Sequence, residues 1–466
     1  MSTRKPQRVQ PARSVAYSVI RAVADNDAYA NLALPAALRA ADVQGPDAAL
    51  ATELTYGTLR GLGTYDAIIS HVARRPVDRI DPPVLDALRL GVHQLLSMRV
   101  ATHAAVNESV ALASFSGRSA AGFANAVLRK VAGADRDSWM LTLRESARSD
   151  DEKLALETSH PVWIIRALRR ALRAEGRELE LADLLAADNA SPSVTLAVLP
   201  GLGEPVSEPR PYAATAYEWR SGDPAEIVEQ SDGRVRVQDE GSQIAAWSLA
   251  EAAPIRHGER WLDLCAGPGG KTALLAAIAL QSGVALDANE VVPARAGLVR
   301  RAVAAVPLPV AVHEEDGREF AEAHAKTYDR ILVDAPCTGL GALRRRPEAR
   351  WRKQPSDIPA LVTLQESLLS AAVTALVPGG IVAYVTCSPH QAETRDVVAA
   401  VLRKHDDLVE LNAREIVARV AQSPIDVAPG VDGSGSAQLW PHRHGTDAMF
   451  IAVLRRGDGP KSEARG

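Results

Sequence analysis

The sequence predicts a multidomain chain: an all-α N-terminal domain, a small α/β linker module, and a C-terminal α/β domain on a parallel, doubly wound sheet. Three observations carry this. From about residue 11 to 135 apolar residues recur at helical spacing, as in VAYSVIRAV, VLDALRLGVHQLL and VNESVALA, with breakers at Gly45-Pro46, Gly61 to Gly63 and Pro82-Pro83. From Gln243 onward, short apolar runs alternate with longer amphipathic segments, the pattern of strands joined by crossover helices. The length of 466 residues also exceeds what one ordinary core supports.

The helical pattern bounds a first domain at residues 1–140. Residues 141–240 are mixed. A helix around Trp163 to Ala174 is followed by a strand, Val194 to Leu199, and then by a Gly- and Pro-bearing stretch over 200–224. The third domain, 241–457, contains candidate strands Arg260 to Leu264, Val284 to Asp287, Val310 to His313, Arg330 to Asp334, Ile381 to Thr386 and Met449 to Leu454. Residues 458–466 are expected to be a disordered tail. In such a sheet ligands bind at the carboxyl ends of the strands, so the residues just after each strand are those to read for chemistry.

Composition narrows the class. With 47% hydrophobic and 24% charged residues the chain is globular rather than disordered or fibrous, and 4% aromatics with abundant Ala point to helix-rich cores. The N-terminus lacks an apolar signal region and no stretch is expected to reach a membrane span, so a cytoplasmic monomer without membrane contact is expected. Cys265, Cys337 and Cys387 are too few for a disulfide framework, their spacing is not that of a zinc module, and no metal is expected. A net charge of -4 excludes a uniformly basic coat, but basic residues cluster locally. Arg4, Lys5, Arg8, Arg13 and Arg21 stand among the first 24 residues with no acid, and Arg344, Arg345, Arg346, Arg350, Arg352 and Lys353 are opposed only by Glu348. Both stretches are candidates for phosphate contact.

The first strand of the third domain runs into Asp263-Leu264-Cys265-Ala266-Gly267-Pro268-Gly269-Gly270-Lys271-Thr272, a glycine-rich turn opening a helix. Glycines let backbone approach a ligand, and the helix N-terminus favours an anionic group. A phosphate-binding P-loop would require glycine at position 265, and Pro268 removes a backbone donor, although ILVD at 331–334 imitates its partner strand. Asp287, read as the end of the second strand, can accept from both hydroxyls of a ribose. S-adenosylmethionine suits that pair of features. The alternatives are a P-loop-like ATPase acting on RNA and a non-catalytic RNA-binding assembly factor.

Two cysteines follow strands. Asp334-Ala335-Pro336-Cys337-Thr338 ends one and Thr386-Cys387-Ser388 the next. A lone thiol there would be a small buried filler, but two beside one cofactor pocket point to chemistry. Carbon 5 of cytosine is a poor nucleophile, and a thiolate added to carbon 6 turns the base into an enamine that attacks a methyl donor. Asp334 is placed to hydrogen-bond the N3 or N4 edge. Spacing alone does not say which cysteine attacks.

DLCAGPGGKT, DAPCTGLGALRRRPEARW and TCSPHQAET resemble the cofactor, target-base and nucleophile motifs of the Sun/Fmu (RsmB-type) ribosomal RNA cytosine-C5 methyltransferases of the Nop2/Sun family. DALRLGVHQLLSM, HAAVNESVALA and GFANAVLRK are similar to that branch's NusB-like helical RNA-binding domain. The resemblance covers nearly the whole chain. It implies a Rossmann-like class I methyltransferase domain and a donor site of Cys265, Ala266, Gly267, Pro268, Gly269, Gly270 and Lys271 with Asp287, Asp316 and Asp334. It also implies Cys387 as nucleophile, Cys337 as the residue assisting release, and small-subunit ribosomal RNA as substrate. The family's Asn after Glu393 is Thr394 here, so Glu393 is left out of the site. Arg344, Arg345, Arg346 and Arg350 are expected to grip the phosphates flanking the cytosine, with Trp351 available for stacking.

Overall fold

A computed structural model describes residues 9–26, 28–220 and 222–458. The expected disordered tail, apart from Asp458, and the candidate phosphate contacts Arg4, Lys5 and Arg8 lie outside them. The chain forms two compact units, one of residues 1–166 with 343–352, the other of residues 167–342 with 353–466. The segment read as a linker module, 141–240, is therefore divided between them. Its first helices belong to the first unit and its strands to the second.

The first unit is all helical, as the periodicity predicts. The helix Pro82–Ser97 lies at its centre and buries Val84, Leu85, Leu88, Leu90 and Val92. Gly91 permits a close approach, since a Cβ there would meet Leu128 Cδ2 at 2.6 Å. Asp86, 1% exposed, is held between Arg21 at 2.7 Å and Arg89 at 2.8 Å, because a buried carboxylate requires cationic partners. Arg13 is likewise buried and donates to Gln94 at 2.8 Å. The two described arginines of the basic N-terminus are thus committed to the fold.

The arginine-rich segment after the DAPC motif is part of this helical unit, which corrects its reading as a solvent-facing phosphate grip. Arg350 is fully buried and donates to the carbonyls of Arg60 and Ser159, both at 3.2 Å. Arg344 is 9% exposed. Arg346 and Arg352 each lie 5.2 Å from the Tyr29 ring, one of the cation–π contacts that such guanidinium groups favour. Trp351 covers Gly63, where a Cβ would meet its indole at 2.4 Å. Glu348 accepts from Ala30 N at 3.2 Å. Arg345 is half-buried and Trp351 is spent on packing, so neither is the exposed group that phosphate contact or stacking expects.

The second unit holds two sheets. The smaller is antiparallel, β1 (Val194–Val198), β2 (Glu208–Pro209), β3 (Ala216–Trp219) and β4 (Val235–Val237), in the order β2-β3-β1-β4. The larger contains β5 (Arg260–Asp263), β6 (Ala285–Asn289), β7 (Val310–His313), β8 (Tyr328–Asp334), β9 (Leu376–Thr386), β10 (Leu408–Leu411), β11 (Ala437–Gln438) and β12 (Phe450–Arg456). Its order is β10-β12-β9-β8-β5-β6-β7, with β5 to β9 parallel, β12 antiparallel and β11 paired to β12. The order reverses between β5 and β8, and that switch opens a crevice at the strands' carboxyl ends.

Apolar layers cover both faces. One packs helices Glu240–Ala250 and Gly270–Ser282 on the sheet and takes in Leu199, Ala213 and Ala216, so the small sheet shares this core. The other is formed by Phe320, Leu368, Leu369, Ala372, Val397 and their neighbours. Here the sequence reading requires a further correction: the helical stretch Pro355–Ala375 is long and apolar enough to cross a membrane by length and composition. It buries Leu368, Leu369, Ala372 and Val373 in the sheet's core instead.

Removing the Arg350 guanidinium takes a donor from the buried Ser159 carbonyl and the part-buried Arg60 carbonyl. Arg350→Ala should therefore lower unfolding stability by about 2 kcal/mol or more, read by denaturant titration, since hydrogen bonds from a charged group contribute roughly 1.5–3 kcal/mol. Stability unchanged within about 0.5 kcal/mol would show that Arg350 is not a structural pin.

Candidate active site

The first wall of the crevice is the turn after β5. Gly269 adopts φ +98°, and a Cβ there would meet Ala302 Cβ at 2.6 Å and Val299 Cα at 2.9 Å, so the turn requires glycine. Gly267 sits against Glu290, whose Oε2 accepts its N–H at 2.9 Å. Arg295 donates to the Gly267 carbonyl at 2.7 Å and pairs with Glu290 at 3.6 Å.

These contacts correct the assignment of the ribose-binding acid. β6 runs two residues beyond Asp287, to Asn289, so the acid following the strand is Glu290. Asp287 pairs with Leu262 in mid-strand, and its carboxylate accepts from Tyr328 Oη at 2.9 Å and Arg260 Nη2 at 3.2 Å. Tyr328 and Arg260 open their strands, so Asp287 faces away from the carboxyl ends. Asp316 follows β7 and caps the helix Gly317–Ala323 through Arg318 N at 2.9 Å. The hydrogen bonds from Arg318 lower its pKa to about 2.

Asp263 is 1% exposed; its Oδ2 accepts from Thr272 Oγ1 at 2.7 Å, and its Oδ1 has no partner among the described residues. Burial pushes its pKa up to about 7, with Asp334 and Glu290 adding to the rise. Gln238, 8% exposed, lies against Gly270 with neither polar atom of its carboxamide satisfied. Cys265 is half-buried in this wall, and burial and the nearby acids raise its thiol far above the usual range, which keeps it protonated.

The second wall brings together Lys271, Asp334 and the other two thiols. Lys271 Nζ donates to Asp334 Oδ2 at 2.8 Å and to Ser242 Oγ at 3.2 Å. Burial opposes the ammonium, but the charge and hydrogen bond of Asp334 outweigh it and raise the pKa, so Lys271 is charged. Beyond Asp334 the Sγ atoms of Cys337 and Cys387 stand 3.5 Å apart. The hydrogen bond from Cys337 lowers the Cys387 pKa, and Lys271 adds to the lowering against burial and the charges of Asp334 and Asp447. Cys337 moves the other way, raised by that same bond, by burial and by Glu393. The two thiols are thus shifted in opposite directions, Cys387 down and Cys337 up.

The loops bearing the thiols are tied together by backbone and by a carboxylate that sequence reasoning excluded. Gly341 N donates to the Cys387 carbonyl at 2.8 Å, and a Cβ on Gly341 would lie 2.2 Å from the Ala448 carbonyl. Glu393 is fully buried and accepts from Thr338 N at 2.8 Å and Ser388 Oγ at 2.7 Å. The sequence signal for Glu393 was the hydroxyl residue directly after each cysteine, two donors in need of a shared acceptor. The structure therefore gathers Asp334, Cys337, Cys387 and Lys271 at adjacent strand ends, with the Cys265–Gly270 turn on β5 beside them. Asp287 does not join them.

Comparison with known proteins decides what this arrangement belongs to. Residues 252–455 match the family described as 16S rRNA methyltransferase RsmB/F, and residues 10–133 match the NusB family. The chain is 31% identical over 466 residues to ribosomal RNA small subunit methyltransferase B of Pseudomonas syringae, covering 95% of this chain and 96% of that one. The chain belongs to the 16S rRNA methyltransferase RsmB/F family. It is also similar to Rv1407 of Mycobacterium tuberculosis, 48% identical over 465 residues, with 97% of this chain and 99% of that one covered. In fold it resembles the crystal structure of PH0851, with a TM-score of 0.78 at 22% identity over 97% of this chain and all of that one. As an RsmB/F family member the protein is an S-adenosylmethionine-dependent RNA methyltransferase, and the ATPase and non-catalytic readings fall away. The wall fits that donor: unsatisfied buried atoms on Asp263 and Gln238, an acid after β6, and glycines that leave room for it.

Two predictions follow from this wall. Glu290→Ala should weaken S-adenosylmethionine binding by about 10-fold or more in calorimetry, since a hydrogen bond to a charged group contributes roughly 1.5–3 kcal/mol. Asp287→Ala should leave donor affinity near the parental value, and the opposite pattern would restore Asp287 as the ribose acid. Asp263 gives a pH dependence. Its folded pKa, about 7, lies above the ordinary 3.8, so its contribution to ligand-free stability is full below about 4 and lost as pH rises through about 7. Denaturant titrations across that window should show this fall in the parent and a flatter profile in Asp263→Asn; identical slopes would mean that Asp263 does not titrate there.

Proposed function

We propose that the protein methylates carbon 5 of a cytosine in 16S ribosomal RNA through a covalent bond between Cys387 and carbon 6, acting as a cytoplasmic monomer. The observation that carries the reading is the meeting of two thiols, one lowered and one raised in pKa, beside the charged Lys271–Asp334 pair. A cytosine extruded from its stack would enter with its N3 and N4 edge toward Asp334. S-adenosylmethionine, when bound, supplies an electrophilic methyl group on its sulfonium.

The Cys387 thiolate adds to carbon 6, and the ring's electron pair moves to carbon 5. Asp334 accepts a hydrogen bond from the exocyclic amine, while Lys271 offers positive charge to the electron-rich ring. Carbon 5 bonds the methyl as the methyl–sulfur bond of the donor would break, its electron pair staying on the departing neutral thioether, and carbon 5 then carries both methyl and proton. Loss of that proton to water restores the carbon 5–carbon 6 double bond and expels Cys387 as thiolate. Cys337, beside Cys387, assists that release. Its raised pKa suits a thiol that holds a proton near the departing sulfur rather than one that attacks.

The assignment predicts different failures in the two cysteine variants. Cys387→Ala should lose turnover and form no RNA adduct while still binding S-adenosylmethionine. Cys337→Ala should accumulate methylated RNA bound covalently to protein, visible by denaturing electrophoresis with labelled RNA. An adduct in Cys387→Ala that is missing from Cys337→Ala would reverse the roles, and residual turnover in Cys387→Ala with no adduct in either would remove the covalent route.

A further inference from the structure

One buried carboxylate touches the residue that follows each thiol. Thr338 comes directly after Cys337 and Ser388 directly after Cys387. Glu393 Oε1 accepts from Thr338 N at 2.8 Å and from Gln365 Nε2 at 3.2 Å. Its Oε2 accepts from Thr338 Oγ1 at 2.5 Å and Ser388 Oγ at 2.7 Å. The two hydroxyls lie 3.0 Å from each other, and Gln365 also donates to the Pro336 carbonyl at 2.7 Å. Glu393 is itself fixed by Tyr384 Oη, which donates to its carbonyl at 2.7 Å. All of these side chains are buried.

Each carboxylate oxygen therefore takes two donors, which fills its accepting capacity. No lone pair remains to be aimed at a substrate, so this group is not a general base. What it does is hold two loops from different strands at one separation. We propose that Glu393 is the positioning residue of the thiol pair: it sets the Cys337–Cys387 spacing that lets Cys337 assist expulsion of Cys387 after methyl transfer. The inference rests on the covalent reading given above.

Geometry and charge can be separated by substitution. In Glu393→Gln the amide oxygen can keep the Thr338 N–H, and the amide nitrogen can donate to the two hydroxyls, which rotate to accept. The spacing survives without the charge. Glu393→Ala loses every tether. Thr338→Val and Ser388→Ala each remove one hydroxyl and leave the carboxylate in place.

The test measures turnover and the share of methylated RNA left bound to protein under denaturing conditions, with S-adenosylmethionine affinity as the check on folding. Misplacing a reacting group by about 1 Å can cost about 100-fold, and Glu393→Ala should lose turnover on that scale. Its bound share should rise toward that of Cys337→Ala, whereas Glu393→Gln should stay within about 10-fold of the parent with a parental bound share. A residue that served folding alone would reduce the amount of active enzyme without moving that share. If Glu393→Ala fails to bind S-adenosylmethionine, the combined Thr338→Val and Ser388→Ala variant decides by the same share. An unchanged share in variants that fold, or an inactive Glu393→Gln, overturns the proposal. If Cys337→Ala itself accumulates no adduct, the covalent reading fails and takes this inference with it.

Discussion

A lysine withdrawn from water at the carboxyl end of a sheet must be paired, and the rest of the site is arranged around that constraint. Lys271 reaches Asp334 at 2.8 Å, which joins the helix after β5 to the loop after β8 across the point where strand order reverses. Taking two charges out of water costs several kcal/mol per ion, and the cost is offset only by good geometry and further hydrogen bonds. Ser242 supplies one such bond, from the helix Glu240–Ala250. The pair sets a carboxylate and an ammonium beside the two thiols; for Cys387 the Asp334 charge outweighs that of Lys271, and it is the hydrogen bond with Cys337 that lowers its pKa.

The two thiols stand 3.5 Å apart in different surroundings. Both lie near acids, Asp334 and Asp447 at Cys387 and Glu393 at Cys337, but Cys387 also has Lys271 beside it. Their mutual hydrogen bond is the largest cause of both shifts, lowering Cys387 and raising Cys337. The proposed division of labour between attack and release rests on this difference in surroundings, and the two loops are held close by the backbone contact that Gly341 permits.

Much of this was legible in the sequence. The parallel strands could be placed because β-branched and aliphatic runs alternate with helical periods, and the turn after β5 because only glycine fits beside Ala302 and Val299. The errors have particular causes. Asp287 looks like a strand terminator, but β6 continues through Asn289, whose amide binds the Leu264 and Glu315 carbonyls and so fixes the strand end. Glu393 was judged by the residue after it, while its function in the fold depends on hydroxyls 55 and 5 positions away. The arginines after DAPC read as a phosphate grip because a cluster of cations next to the target-base motif suits RNA. Arg350 instead satisfies carbonyls in a helical unit whose residues lie far off in sequence, and no local pattern announces that.

The central claim is that Cys387 forms the bond to the substrate base. It is tested most directly by reacting the full chain with S-adenosylmethionine and RNA carrying 5-fluorocytosine at the target, where loss of the carbon-5 substituent is blocked. Protease and nuclease digestion followed by tandem mass spectrometry then locates the attached nucleotide. The account predicts a methylated fluorocytidine on the peptide containing Cys387 and none on the peptide containing Cys337. A nucleotide found on Cys337 in its place, or full turnover of the fluorinated RNA with no attached nucleotide, would contradict it.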